Sequence, residues 1–257
     1  MHSSPDVALR RAVLAVYVLD DLDLLIDDEG VLLTAPTARR VRWPELAATV
    51  TGIDPESALG RARVGAWLHG RRAVADHSVA VLADRARPVG LPVDHPLHPG
   101  PDWVQDRVLG GALDLGFGFL GVRGDPDEVV IVPPGALAAE GIEPAPWWPE
   151  ATRYLEKMGM IAAGRLATGT QGMLRPIGDC DVVTLLASRF LRTALCGADG
   201  TGICTAAVPM RRRGWLDPAR IDPTFTVAAA AATDLADRGF SRPLLVTDDE
   251  VTLARAR

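Results

Sequence analysis

The sequence predicts an α+β fold of mixed helices and short strands, helix-rich, with α/β as the runner-up class. Three observations carry this reading. Apolar residues recur at helical spacing through several long stretches, the convincing strands are short and irregularly separated, and no regular strand–helix–strand rhythm links them. A proline-rich stretch near the first third divides the chain, leaving open two lobes: a helical and short-strand region over 1–86, a loop or linker over 87–102, and an α+β region over 103–257.

The first element is a helix over 6–19, where Leu9, Val13, Val16 and Tyr17 recur at helical spacing. The following "DDLDLLIDDEG" is expected as a turn or a short exposed helix, and "GVLLTAPTARRVRW" as two short strands around Pro36. Pro44 opens a brief helix in "PELAAT". Asp54 and Pro55 are set to cap and start a longer one, loosened near Gly70. "RPVGLPVDHPLHPGPDW" holds five prolines and can be neither a regular helix nor a central strand, hence the loop or linker.

Beyond it, "DWVQDRVLGGALDLGFGFLGV" reads as a helix that becomes glycine-rich. Val129 to Val132 reads as a short buried strand before a helical turn. "PWWPEATRYLEKMGMIAAGRLA" is a strong helix, with Tyr154, Leu155, Met158, Gly159 and Ala162 along one side. "DCDVVTLLASRFLRTAL" is read as another, with Val182, Val183, Leu186 and Phe190 inward. Asp222 and Pro223 open a third that Gly239 ends, and "RPLLV", "TDDE" and "VTLAR" suggest a terminal hairpin.

At 257 residues the chain can bury a real core, as one large domain or two small ones. Its 48% hydrophobic and 23% charged residues, with a mean hydropathy of +0.13, set it apart from disordered chains. A net charge of −6 gives no global attraction to nucleic acid or an anionic membrane. Lys157 is the lone lysine among 27 basic residues and asparagine is absent, the mark of a GC-rich, bacterial coding sequence. Arginine clusters therefore carry less information than usual.

Three cysteines cannot all pair within one chain. "AVLAVYVL" runs into Asp20 and Asp21 without a cleavage pattern, and no apolar run reaches the ~18 residues of a membrane span. A cytoplasmic protein with no cofactor is expected.

The most suggestive stretch is "LCGADGTGICTAAVPMRRRGW". Gly197, Gly200 and Gly202 could turn backbone N–H groups toward an anion, with Asp199 and Thr201 available to a metal or hydroxyl. Gly197, Asp199, Gly200 and Thr201 resemble the "GGDGT" turn of NAD kinases and diacylglycerol kinases. That resemblance implies nucleotide or phosphate contact within an α/β domain. The pattern departs at Ala198 and in the preceding segment, which reads as helix where that family has a strand. Arg211, Arg212 and Arg213 would supply positive charge.

A metal reading recruits Cys196 and Cys204 with His95 and His98, although eight positions between the thiols is no zinc knuckle. For covalent catalysis, Cys180 lies between Asp179 and Asp181, whereas Cys204 precedes the arginines, a better setting for a thiolate. Trp147 and Trp148 can staple a helix into the core or form an interface.

No catalytic constellation is complete. The expectation is a protein-interaction or regulatory role, with a protein partner or a second copy. The alternative is an enzyme or binding protein for a small phosphorylated ligand at the 197–202 loop and its arginines. Few aromatic residues and the negative charge argue against nucleic acid.

Overall fold

A computed structural model describes residues 5–20, 22–34, 37–168, 172–197, 200–247 and 251–253. It is an α+β fold, and the described residues hold helices and three small antiparallel sheets. The chain forms two compact units, one of residues 1–85 and 119–143, the other of 86–118 and 144–257.

The first unit opens with α1 (Pro5–Asp20), whose Leu9, Ala12, Val13 and Val16 are buried. The segment expected as a turn or exposed helix is instead β1 (Leu24–Ile26), hairpinned to β2 (Gly30–Leu33). Asp27 decides this. Its Oδ1 accepts from the N–H groups of Glu29 and Gly30, closing an Asx turn, while Arg40 grips the same carboxylate. β3 (Arg39–Arg42) completes the meander, as predicted for the strands around Pro36. Leu24, Val31, Leu33 and Val41 then bury one face.

α2 (Trp43–Thr49) follows with Pro44 in its first turn. α3 (Ala58–Asp76) starts later than expected, because Ser57 is its cap and accepts from the Gly60 N–H at 3.0 Å. Asp54 and Pro55 form the preceding turn, where Asp54 accepts from the Glu56 N–H. α3 runs unbroken through Gly70. A Cβ there would sit 2.7 Å from Pro133 Cδ, so that glycine admits a neighbouring segment rather than loosening the helix. α4 (Val79–Arg85) ends this stretch.

The chain then enters the second unit as β4 (Ala86–Pro92). Residues 87–92, expected within the loop or linker, are thus a buried strand. It lies at the edge of the order β4–β6–β5, where Pro88 and Pro92 cost least. Where a helix was expected after the prolines, there are two short 3₁₀ turns, Pro101–Trp103 and Leu109–Gly111. β5 (Asp106–Val108) and β6 (Leu113–Leu120) follow as a hairpin. Gly116 of β6 serves packing, since a Cβ there would overlap the Trp103 ring. The last two residues of β6 belong to the first unit, where they pair with β7 (Val129–Val130). α5 (Pro134–Ala138) packs there against α3.

Back in the second unit, α6 (Trp148–Thr168) buries Leu155, Met158, Gly159 and Ala162, the expected face. β8 (Met173–Leu174) precedes a pair of helices where one was expected: α7 (Val182–Leu185) and α8 (Arg189–Gly197). Ser188 breaks them apart. Its hydroxyl donates to Glu156 Oε2 at 2.8 Å, and Glu156 Oε1 accepts from the Arg189 N–H. The break re-phases the second helix, so Leu191, Leu195 and Cys196 face the core and Phe190 is half exposed.

β9 (Ile203–Met210), β10 (Arg213–Trp215), α9 (Pro223–Ala232), β11 (Leu244–Thr247) and β12 (Val251–Leu253) complete the chain. Asp222 caps α9 as predicted, although the helix stops at Ala232, before Gly239. The terminal hairpin is β11–β12. The sheet order is β12–β11–β9–β10–β8, with β9 central.

Two glycines of α6 should behave oppositely. A Cβ on Gly159 would overlap Ser188 Oγ, whereas no described atom lies within 4 Å of one on Gly164. Gly159→Ala is expected to lower stability by about 1–3 kcal/mol through overpacking. Gly164→Ala is expected to raise it by about 0.5–1 kcal/mol through helix propensity. Urea midpoints of the two variants against the parent check both signs.

Candidate functional site

The glycine turn joins α8 to β9. Gly200 and Gly202 both hold φ of +73°, a left-handed conformation that favours glycine. The Thr201 hydroxyl accepts from the Ile203 N–H and donates to the Ile203 carbonyl, closing the turn on itself. None of the described residues approaches within 4 Å of where a Cβ would stand on Gly197, Gly200 or Gly202. The turn is a surface bend. Asp199 lies outside the described residues.

The arginines sit at the far end of the strand. β9 has eight residues, which separates its two ends by about 23 Å at 3.3 Å per residue. Gly197, Gly200, Thr201 and Gly202 therefore do not share a site with Arg211, Arg212 and Arg213. The composite phosphate cradle expected from their closeness in sequence is not assembled.

Arg211 is committed elsewhere. Its guanidinium lies 2.5 Å from Asp181 Oδ2, both side chains being largely buried, while its N–H donates to the Asp237 carbonyl and its carbonyl accepts from the Val182 N–H. Asp181 also caps α7 through the Thr184 N–H. Arg211 is thus a clamp between the start of α7 and the segment before β11. Arg212 and Arg213 are exposed, and Arg212 reaches Asp237 only at 3.7 Å.

Both histidines of "DHPLHP" are built into their own loop. His95 is 6% exposed, and its Nδ1 accepts from the Leu97 N–H at 3.2 Å. Burial lowers its pKa to about 4, and the cations of Arg211 and Arg238 act in the same direction. His98 Nδ1 accepts from the Gly100 N–H, which places the ring proton on Nε2, facing Asp114 Oδ2 at 3.1 Å. Asp114 is itself buried and held by Arg107 through Nε and a second guanidinium nitrogen at 2.5 and 2.8 Å. Arg107 first, and His98 further, keep that carboxyl below the usual carboxylate range. Trp103 meets the His98 ring edge-on and donates to the Phe117 carbonyl. With both imidazole nitrogens engaged, His98 orders the loop and has no lone pair left to act as a base.

The cysteines do not join these histidines. Cys196 and Cys204 lie by the start of β9, whereas His95 lies by Arg211 and Arg238 at its end. Among the described residues no three His, Cys, Asp or Glu side chains group as metal ligands would. The strand also removes Cys204 from the arginines expected to activate it. Cys180 is fully buried, and burial, then Asp181 and Asp179, push its thiol pKa upward, away from a thiolate.

Trp147 and Trp148 meet Phe117 edge-on at 6.3 and 5.2 Å between ring centroids, and Trp148 packs against the core of the second unit. Both are half-buried, and the contacts fit the stapling role.

Two features were missed from sequence. Asp179 accepts from Arg87 Nε at 2.9 Å and from the Tyr154 hydroxyl at 3.0 Å, with the Arg87 guanidinium over the Tyr154 ring. No short motif announces that cluster. The second is α1. Outside its buried stripe, Val7, Leu14, Tyr17, Val18 and Leu19 are exposed, the last two by 74% and 75%. Here a signal existed, because "AVLAVYVL" is apolar at every position and leaves no polar face.

No family model matches the chain, and no curated protein or solved structure shows significant similarity to it.

The buried His95 predicts an acid-sensitive stability. Its native pKa of about 4 lies below the value near 6.5 for a free imidazole. The unfolded chain therefore takes up a proton that the native ring refuses. This contribution is complete above pH 6.5 and is lost as the pH falls toward 4, by about 3 kcal/mol in all. Urea midpoints at pH 7 and pH 4.5 should show a larger drop in the parent than in His95→Gln.

Proposed function

We propose that the protein works by binding a protein partner through the outer face of α1. One observation carries the reading: beyond Arg10 and Arg11, the stretch Ala12 to Leu19 of α1 is apolar all round, and only one side of it is covered. Leu9, Ala12, Val13 and Val16 pack into the first unit's core. Leu14, Tyr17, Val18 and Leu19 leave a run of large side chains in water at the helix's last turns, and Leu25 of β1 is 61% exposed. A surface helix normally carries charge there, and single exposed apolar residues need no explanation, but five in so short a stretch do.

The groups that would favour an enzyme point the same way by their occupations. His98, Asp114, Asp181 and Arg211 each hold a loop or cap. Cys180 is inert by burial. The phosphorylated-ligand alternative would have to use the glycine turn without Arg211, Arg212 and Arg213.

Val18→Asp with Leu19→Asp tests the proposal. Both side chains are exposed, so thermal stability should stay within about 0.5 kcal/mol of the parent. Cross-linking in cells, and light scattering of the purified chain, should show complexes that the double variant loses. Identical complexes with both proteins, or none with either, would discard the α1 reading.

A further inference from the structure

We infer that Cys196 and Cys204 are an oxidisable thiol pair, whose disulfide would close the glycine turn into a ring. The two cysteines stand four residues either side of Gly200, at the chain reversal between α8 and β9. Cys196 is buried, and its Sγ donates to the Val246 carbonyl at 3.3 Å. Val246 is the residue directly opposed to Cys204 in the β9–β11 ladder. Opposed residues on antiparallel strands have Cα atoms about 4.5–5.5 Å apart. One thiol therefore rests on the cross-strand partner of the other.

The alternation of the sheet turns them to the same side. Cys204, Ala206 and Val208 of β9, with Leu244 and Val246 of β11, contribute to the second unit's core, as do Leu195 and Cys196 of α8. Cys204 is half-buried, which leaves it reachable by a small oxidant. A Cβ on Gly197, Gly200 or Gly202 would meet no described atom within 4 Å, and these glycines allow the adjustment that closure requires. Cys180 is fully buried and lies outside this arrangement.

The oxidant is a peroxide. Cys204 gives up its proton and attacks one peroxide oxygen, so the O–O bond breaks, leaving a sulfenic acid and one water. Cys196 Sγ then attacks that sulfur. The S–O bond breaks, and the hydroxyl leaves with the Cys196 proton as a second water. Two thiols and one peroxide become one disulfide and two waters, the peroxide oxygens taking the two electrons.

The test treats the reduced full chain with hydrogen peroxide, with glutathione as a reactivity control. Thiol titration and non-reducing peptide mapping are then read together. Titratable thiols should fall from three to one, the linked peptides should contain Cys196 and Cys204, the chain should stay at its original size, and dithiothreitol should restore all three. Cys204→Ser and, separately, Cys196→Ala should form no internal disulfide. Retention of all three thiols while glutathione oxidises would overturn the pair. So would a link to Cys180 or to a second chain, sulfinic acid on Cys204, or an internal disulfide in either variant.

Discussion

The second unit depends on β9. Its Ala206, Ala207 and Val208 are completely buried, with β11 hydrogen-bonded on one side and β10 on the other. The chain after it returns to the same strand, since Phe240 N–H donates to the Val208 carbonyl and Gly239 N–H to that of Pro209. A Cβ on Gly239 would overlap the Val208 carbonyl, so this approach demands glycine. Pro209 has no N–H to offer the ladder, and the β9–β10 register shifts beside it. Once β9 is fixed, so are the places of the glycine turn, both cysteines and Arg211.

Much of the architecture was legible because its signals are local. α1, α6 and the β11–β12 hairpin follow from periodicity and turn residues, and Asp222 capped α9 as its position implied. The failures share a physical cause. β9 reads "ICTAAVPM", small residues with a proline, and becomes a central strand only because neighbours on both sides supply its pairing. The β1–β2 hairpin was hidden because Asp27 serves the turn through its side chain rather than through glycine or proline. The split of α7 from α8 rests on Glu156, some thirty residues away, which no window of the sequence around Ser188 contains.

The candidate site was less legible, for a reason that applies to polar residues generally. A buried donor or acceptor must find a partner within the protein, so reactive side chain types are recruited for structure wherever loops are buried. His95 and His98 each accept a backbone N–H two residues on, inside a loop whose prolines cannot supply that bonding themselves. Asp181 caps a helix and holds Arg211 at once. Closeness along the chain suggested that Gly200 and Arg211 cooperate, and an extended strand is the element that most effectively forbids it. The same strand brings Cys204 against Val246, which sequence separation alone places far from Cys196.

The contrast between α1 and the tryptophans turns on what each side chain already touches. Large aromatics dominate binding energetics, and from sequence Trp147 and Trp148 could either staple the core or form an interface. Their rings meet Phe117, and Trp148 borders the core, so part of their apolar area is spent inside the unit. Val18 and Leu19 have no such outlet. Nearly three quarters of each remains in water, on a helix whose opposite face already anchors it. Folding of the first unit therefore leaves these side chains in water. If selection acts on what this surface meets, it acts at the end of α1.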